Sequence, residues 1–422
     1  MTDKFKPKHI PSIKGTKDIL PDEARKWQKV EVAAKRIFES YGYREIRTPI
    51  FEATELFEKG TGETSDIVIK EMYTFTDKGG RSLTLRPEYT PSVVRAIIEN
   101  RLNLKPQPMR FYFIGPMFRY DKPQKGRYRQ FHQIDIEVFG EEDPAIDAEI
   151  VQMADYFLKN LKVEDTKILV NSVGCKECRP SYLIKLQAAA EKEKRRLCEN
   201  CQRKITTNPL RIFDCKVEGC RDIAENFPKI PDSLCVECET HFRTFSSFLN
   251  LFGISYAIDP RLVRGIDYYT KTTFEIVTSM LGAQDAILGG GRYDEMMKDF
   301  GGPDISGIGF AMGMERLLDI VPFEEDKQEF VYIVYMGEEA KKAGMKMAKR
   351  MREVGRETLI EYRERSLKSQ MARANKLEAS WVLIVGEDEV KKGKYQLKNM
   401  KSGEQIEEVE ENILKIIRDK SF

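Results

Sequence analysis

Phe118-Arg119-Tyr120-Asp121-Lys122-Pro123-Gln124-Lys125-Gly126-Arg127-Tyr128-Arg129-Gln130-Phe131-His132-Gln133 is a cationic, aromatic run broken in its middle by Pro123 and Gly126. The apolar segment before it, Phe111-Tyr112-Phe113-Ile114, and the alternating Ile134, Ile136 and Val138 after it both read as strands. The run is therefore a long loop joining two antiparallel strands that are buried on one face. Cations held on a rigid sheet suit a polyanionic ligand, and the rings offer faces on which a purine can stack. A solvated, charged hairpin tip fits the same composition.

Working outward, Pro21 and Asp22 open a helix over 21–41, in which Trp27, Val30, Ala34, Ile37, Phe38 and Tyr41 recur at helical spacing before Gly42. A strand at Arg44–Arg47 precedes Pro49. Tyr73-Thr74-Phe75 and Ser82–Leu85 form a hairpin across Asp77–Gly80, and a helix spans Thr90–Glu99. This is an α+β pattern. Residues 171–245 form a helical, charged insertion that holds all eight cysteines. Pro322 to Lys327 reads as a linker. Beyond it, strands at 330–336, 358–362, 381–385 and 395–397 alternate with helices at 338–354 and 367–377 and with a mostly helical segment at 406–417. That order predicts a small, mainly parallel α/β domain. No Gly-x-Gly-x-x-Gly follows its first strand, which argues against a dinucleotide site.

The chain of 422 residues carries 70 basic and 68 acidic side chains, so a nucleic-acid partner is met by local patches and not by overall charge. No window approaches eighteen consecutive apolar residues and no secretory leader is visible. A soluble, cytoplasmic protein without membrane contact is the expectation.

Three more segments share the character of the cationic loop. Thr84-Leu85-Arg86-Pro87-Glu88-Tyr89-Thr90 presents Glu88 and Thr90 where a strand gives way to a helix, a position that also suits a plain helix cap. Arg261-Leu262-Val263-Arg264-Gly265-Ile266-Asp267-Tyr268-Tyr269 sets an arginine beside two tyrosines. Gly289-Gly290-Gly291-Arg292-Tyr293-Asp294 and Gly307–Arg316 supply glycines that permit close backbone approach to a ligand, with Arg316 on the following helix.

On these residues the chain resembles the histidyl-tRNA synthetases, a family of class II aminoacyl-tRNA synthetases, over nearly its whole length from Gly15-Thr16-Lys17-Asp18 onward. Phe118–Glu137 looks like class II motif 2, Gly307–Leu317 like motif 3, and residues 42–52 occupy the place of motif 1. Leu262–Tyr269 and Gly289–Asp294 are similar to the two signatures peculiar to the histidine enzymes. The resemblance implies a catalytic domain over 1–325 on a mainly antiparallel sheet, an anticodon-binding α/β domain over 326–422, and a homodimer. It implies ATP with Mg²⁺, L-histidine and tRNA(His) as substrates, joined through a histidyl-adenylate.

Carried over position by position, it places Arg119 and Arg264 on the α-phosphate and the substrate carboxylate, Arg316 on the γ-phosphate, and Phe131 on adenine. Glu88, Thr90 and Gln133 take the α-ammonium. Glu137, Tyr268 and Tyr269 address the imidazole, and Tyr89 stands in the same wall where the family commonly has glycine. Arg264 would do work that a metal ion does in related enzymes. Gln124, Arg127 and Arg129 would meet the acceptor end of the tRNA; Arg363, Arg365, Lys368, Gln370 and Arg373 would face the anticodon. A non-catalytic regulatory paralogue serving histidine biosynthesis is the alternative. Such paralogues lose these arginines and the C-terminal domain, which this chain keeps.

The cysteines pair as Cys175/Cys178, Cys198/Cys201, Cys215/Cys220 and Cys235/Cys238. Such spacing in a cytosolic protein points to structural zinc, with disulfides and free thiols as alternatives. Cys198, Cys201, Cys235 and Cys238 are the first-choice ligands, with Cys215 and Cys220 as substitutes or as partners of Cys175 and Cys178, and His241 is the one histidine near enough to replace a thiol.

Overall fold

The structure is a computed structural model describing residues 10–62, 65–124, 126–282, 285–323 and 329–419. It divides into two compact units, Met1–Phe323 and Glu324–Phe422.

In the first unit the strands are β1 (Arg44–Glu45), β2 (Phe51–Ala53), β3 (Tyr73–Thr76), β4 (Ser82–Leu85), β5 (Met109–Phe118), β6 (Gln130–Phe139), β7 (Thr166–Ser172), β8 (Tyr256–Ile258), β9 (Thr270–Thr278), β10 (Ala286–Arg292) and β11 (Gly307–Gly313). Eight of these form one sheet in the order β1-β5-β6-β11-β10-β9-β7-β8, while β2-β4-β3 make a small antiparallel sheet. The six central strands of the large sheet run antiparallel, from the β5/β6 hairpin across to β7. Its two edge pairs, β1/β5 and β7/β8, are parallel.

The alternation of β6 divides the molecule. Ile134, Ile136 and Val138 enter the main core, whereas Gln133, Asp135 and Glu137 face an open cleft on the other side of the sheet. Several helices contribute to the core face. Pro21–Ser40 brings Trp27, Val30, Ala34, Ile37 and Phe38, and Pro144–Asn160 brings Ile150, Val151, Met153 and Phe157. The first begins at a proline whose missing N–H costs nothing at that position, with Asp22 and Glu23 complementing the helix dipole. Each large apolar side chain taken from water here contributes about 1.5–3 kcal/mol, which makes this face the stable platform of the site.

Parallel neighbours cannot be joined by a tight turn, so the path from β7 to β8 is a long crossover. It is the helical insertion, with helices Arg179–Lys192, Glu199–Thr207, Glu218–Ala224 and Val236–Leu251. Tyr182, Leu186, Ile205, Ile212, Ile223 and Phe227 give it a core of its own.

The second unit contains β12 (Val331–Met336), β13 (Thr358–Ile360), β14 (Trp381–Gly386), β15 (Lys394–Asn399) and β16 (Gln405–Val409), in the order β13-β12-β14-β15-β16. Only β13, β12 and β14 are parallel; β15 and β16 add as antiparallel strands, so the sheet is mixed and not mainly parallel. The segment 406–417, expected to be mostly helix, is helical from Glu410 onward and opens as the strand β16. Gly403, at φ +78°, lets the chain fold back after Asn399, Leu397 pairs with Ile406, and helix starts only at Glu410. Of the expected linker, Pro322 and Phe323 are described and 324–327 lie outside the described residues, as does Lys125 of the cationic loop.

Candidate active site

The open face of the large sheet floors a cleft of about 400 Å³. Along β11 the core takes Ile308, Phe310 and Met312, leaving Gly309, Ala311 and Gly313 toward the cleft. The small residues are required by what lies above them. A Cβ at Gly289 would stand 2.0 Å from Cζ of Arg264, and one at Gly309 would stand 2.2 Å from a carboxylate oxygen of Glu137.

One end of the cleft is cationic. Arg119 leaves the end of β5, donates from Nε to the Pro87 carbonyl at 2.8 Å, and lies 5.3 Å from the centre of the Phe131 ring. Arg264 donates from Nη1 to Glu275 on β9 at 2.5 Å, while its Nε is buried without a partner. Arg316 donates to the carbonyls of Gly126 and Ala286. Burial and the charges of Arg127, Arg119 and Arg264 push the Arg316 guanidinium below its usual range, with Glu275 opposing. Cations that depress one another in a half-buried cleft form a site for an anion. Arg127 pairs with Asp121 at 3.0 Å, and Arg129 lies over Tyr120 while its backbone bonds to Gly15. The Gly15 segment thereby packs against the base of the loop.

The other end is a buried pocket of carboxyls, hydroxyls and rings. Glu88 accepts from Thr61 and, at 3.0 Å, from the Tyr268 hydroxyl. Glu137 accepts from Thr90 at 2.5 Å and from the Tyr293 hydroxyl. Burial pushes the Glu137 carboxyl up to about 8, with the two donors pulling the other way. Glu88 is raised chiefly by burial, opposed by Thr61, Arg119 and Tyr268. Asp135, between them on β6, is driven well above the carboxylate range by burial and by Glu137 and Glu88. Gln133 Oε1 and Asp135 Oδ1 are buried and unpaired. Three buried acids, with unpaired acceptors on Gln133 and Asp135, call for a ligand that donates hydrogen bonds. Tyr268 and Tyr269 close the pocket with ring centres 4.7 Å apart.

Of the residues expected at the site, Glu88, Thr90, Arg119, Phe131, Gln133, Glu137, Arg264, Tyr268, Tyr269 and Arg316 all line this one cleft. Tyr89 borders it but is committed elsewhere. Its hydroxyl donates to the Ile46 carbonyl and accepts from the Thr48 N–H, and its ring stacks 3.6 Å from that of Phe113. Arg86 covers both rings and holds the carbonyls of Thr48 and Pro116, so the Arg86–Tyr89 unit braces the wall from behind.

Three residues without an expected role belong to the site: Tyr293 and Thr61, which hold the two carboxyls, and Glu275, which holds Arg264. Tyr293 lies inside the Gly289–Asp294 signature. Glu275 is the one acid in the strand-like Phe274–Val277, and that was the available signal for it.

The metal set is corrected. Cys198, Cys201, Cys235 and Cys238 do not converge; Cys175, Cys178, Cys235 and Cys238 form one group, and Cys198, Cys201, Cys215 and Cys220 another. His241 is also no ligand, because its Nε2 lies 2.9 Å from Asp147 and 3.1 Å from the Thr272 hydroxyl. In the second unit, Arg365 and Arg373 share the buried Glu361 at 3.6 and 3.7 Å. Gln370 is fully buried and bridges both backbone groups of Tyr335, which removes it from any exposed surface.

Known proteins share this architecture. A family model described as histidyl-tRNA synthetase matches residues 15–317, and one described as an anticodon binding domain matches residues 330–420. A histidine–tRNA ligase of Halothermothrix orenii is 50% identical over 410 residues, covering 96% of this chain and 98% of its own. One of Desulforamulus reducens is 49% identical over 399 residues, covering 93% and 95%. The crystal structure of apo histidyl-tRNA synthetase from S. aureus superposes with a TM-score of 0.82 at 34% identity, over 97% of this chain and all of its own. The chain belongs to the histidyl-tRNA synthetase family of class II aminoacyl-tRNA synthetases.

Proposed function

We propose that this chain is a histidine–tRNA ligase whose two steps both run in the cleft above the sheet. The observation that carries the reading is the polarity of that cleft: arginines at one end, and at the other a buried acid pocket with unpaired acceptors. Histidine lies with its ammonium on Glu88, Thr90 and Gln133, and its ring toward Glu137, Tyr268 and Tyr269. A carboxyl and a phenol can serve both ring nitrogens, and an analogue lacking them leaves buried polar groups unpaired. The histidine carboxylate then points at the arginines.

ATP enters as its Mg²⁺ complex, with adenine on Phe131, the α-phosphate on Arg119 and Arg264, and the γ-phosphate on Arg316. A carboxylate oxygen attacks the α-phosphorus, the bond to the bridging oxygen breaks, and pyrophosphate leaves. The terminal ribose hydroxyl of tRNA(His) next attacks the acyl carbon and AMP leaves. Neither step needs a covalent enzyme intermediate. Alignment and charge stabilisation by fixed arginines supply the catalysis.

Residues 1–325 serve as the catalytic domain, with the insertion at about 171–245, and residues 326–422 as the anticodon reader, where Arg363, Arg365, Lys368 and Arg373 meet the RNA. Gln124, Arg127 and Arg129 meet its acceptor end. The enzyme works as a cytoplasmic homodimer. The exposed apolar Ile50 and Phe51 in the motif 1 segment, with Phe75 beside them, support the pairing. No helix among the described residues is long and apolar enough to cross a membrane.

The test is ATP–pyrophosphate exchange with each of the twenty amino acids, followed by charging of tRNA(His). Exchange with histidine alone supports the reading. A folded protein without exchange moves it to the non-catalytic regulatory role.

A further inference from the structure

The insertion contains two sets of four thiols whose geometry the aminoacylation chemistry does not use. In the outer set, Cys175 lies 3.8 Å from Cys178 and 3.8 Å from Cys235, and Cys178 lies 3.9 Å from Cys238, sulfur to sulfur. In the inner set, Cys198 and Cys215 are 3.9 Å apart. Within each set all four sulfurs lie within 4.8 Å of one another. Four thiolates around a tetrahedral Zn²⁺ at about 2.3 Å stand roughly 3.8 Å from one another, which these separations match. They are nearly twice the ~2.05 Å of a disulfide, and a disulfide would bring thiols together in twos. An iron–sulfur cluster would spread its cysteines around a core of several atoms, which these compact sets leave no room for.

The backbone is arranged for thiolate charge. The N–H of Cys175 points at the Cys178 sulfur at 3.2 Å and that of Glu177 at the Cys175 sulfur at 3.4 Å. The N–H of Cys198 points at the Cys220 sulfur at 3.2 Å. Such donors orient thiolate ligands and spread their charge. Gly174, at φ +67°, makes the first knuckle possible, since a Cβ there would stand 2.7 Å from the Cys178 sulfur.

We infer that the insertion binds two structural zinc ions, one through Cys175, Cys178, Cys235 and Cys238 and one through Cys198, Cys201, Cys215 and Cys220. The outer ion staples the exit of β7 to the start of the Val236–Leu251 helix, closing the insertion at its root. Arg179, next to Cys178, donates to the carbonyls of Val173, Gly174 and Tyr269 and so ties that root to the active-site wall. The inner ion pins Glu199–Thr207 to Glu218–Ala224 within the insertion's own core.

The test is metal content of the full chain by mass spectrometry, in wild type and two double variants. Two zinc ions per chain are expected in wild type. Cys175→Ser/Cys235→Ser, which empties one set, should keep one ion; Cys198→Ser/Cys235→Ser, which damages both, should keep none. The reverse result for the two doubles overturns the grouping. Should a variant fail to fold, cobalt exchange into the wild type decides: two equivalents with tetrahedral thiolate absorption support the sites. Fewer than two metal ions, disulfides, or eight thiols that react without a chelator overturn them.

Discussion

Arg264 and Glu275 face each other across 2.5 Å, yet the Arg264 Nε beside that contact is buried and unpaired. The glutamate fixes one nitrogen of a guanidinium that lines the cleft, so the group is held in place before a ligand arrives. A preorganised donor of this kind stabilises charge that develops in a transition state without reorganising. Arg264→Ala should lower kcat for histidine-dependent ATP–pyrophosphate exchange by about 10²–10³-fold, as loss of one oxyanion donor typically does. Pre-steady-state measurement should place the loss in adenylate formation. A change confined to the KM for ATP would show that Arg264 only binds.

Gly289 tests the same arginine from below. Its φ is ordinary, so alanine there strains no backbone, but the added methyl meets Arg264 at 2.0 Å and must displace it. Displacing a catalytic group by about 1 Å costs on the order of 10²-fold. Gly289→Ala should therefore fold and melt like wild type while losing exchange activity to that extent. A large drop in melting temperature instead would make Gly289 a packing residue.

The strand β6 was readable because its period of two is strict: Ile134, Ile136 and Val138 mark one face, so Gln133, Asp135 and Glu137 must share the other. Arg119 stood out at a strand's end among aromatic residues, Arg264 in a loop beside Gly265 and two tyrosines, and Arg316 in the first turn of a helix after a glycine-rich strand. Partner choice was not readable. Four Cys pairs are locally alike, and what sorts them is the crossover, whose two ends must return to the same sheet and so bring 175/178 to 235/238. Glu275 and Tyr293 look like ordinary strand and turn residues until the sheet sets them beside Arg264 and Glu137. The strand at 405–409 was hidden for a related reason. Ile406 and Val409 also fit a helical period, and only pairing with β15 decides between the two.

Glu137 predicts a pH dependence of stability. Its carboxyl titrates near 8 in the folded chain, because burial disfavours the charge, and near 4.3 when unfolded. Between those values the folded state holds a proton that the unfolded state has lost. The Glu137 contribution to stability is thus full below about pH 4.3 and is lost as pH rises toward 8. Asp135 contributes with the same sign. Glu137→Gln keeps an acceptor for Thr90 and Tyr293 and cannot ionise, so its unfolding free energy should fall less than that of wild type between pH 5 and 8. Parallel urea titrations at several pH values measure this, and equal slopes for the two proteins would refute it.

Arg292 and Asp147 are both fully buried, 2.7 Å apart between Nη2 and Oδ1, with His241 on the second carboxylate oxygen. The guanidinium also holds the carbonyls of Glu141 and Asp143, tying β10 to the start of the Pro144–Asn160 helix. This arginine lies beside the glycine run but does not line the cleft, so its work is structural. Removing one partner of a buried pair strands the other's charge at a cost of about 3–5 kcal/mol. Arg292→Met should destabilise the protein by that order in denaturant unfolding. Asp147→Asn/Arg292→Met together should cost less than the sum of the two single changes, because the double variant leaves no uncompensated charge. Additive costs would mean that the two residues do not act as a pair.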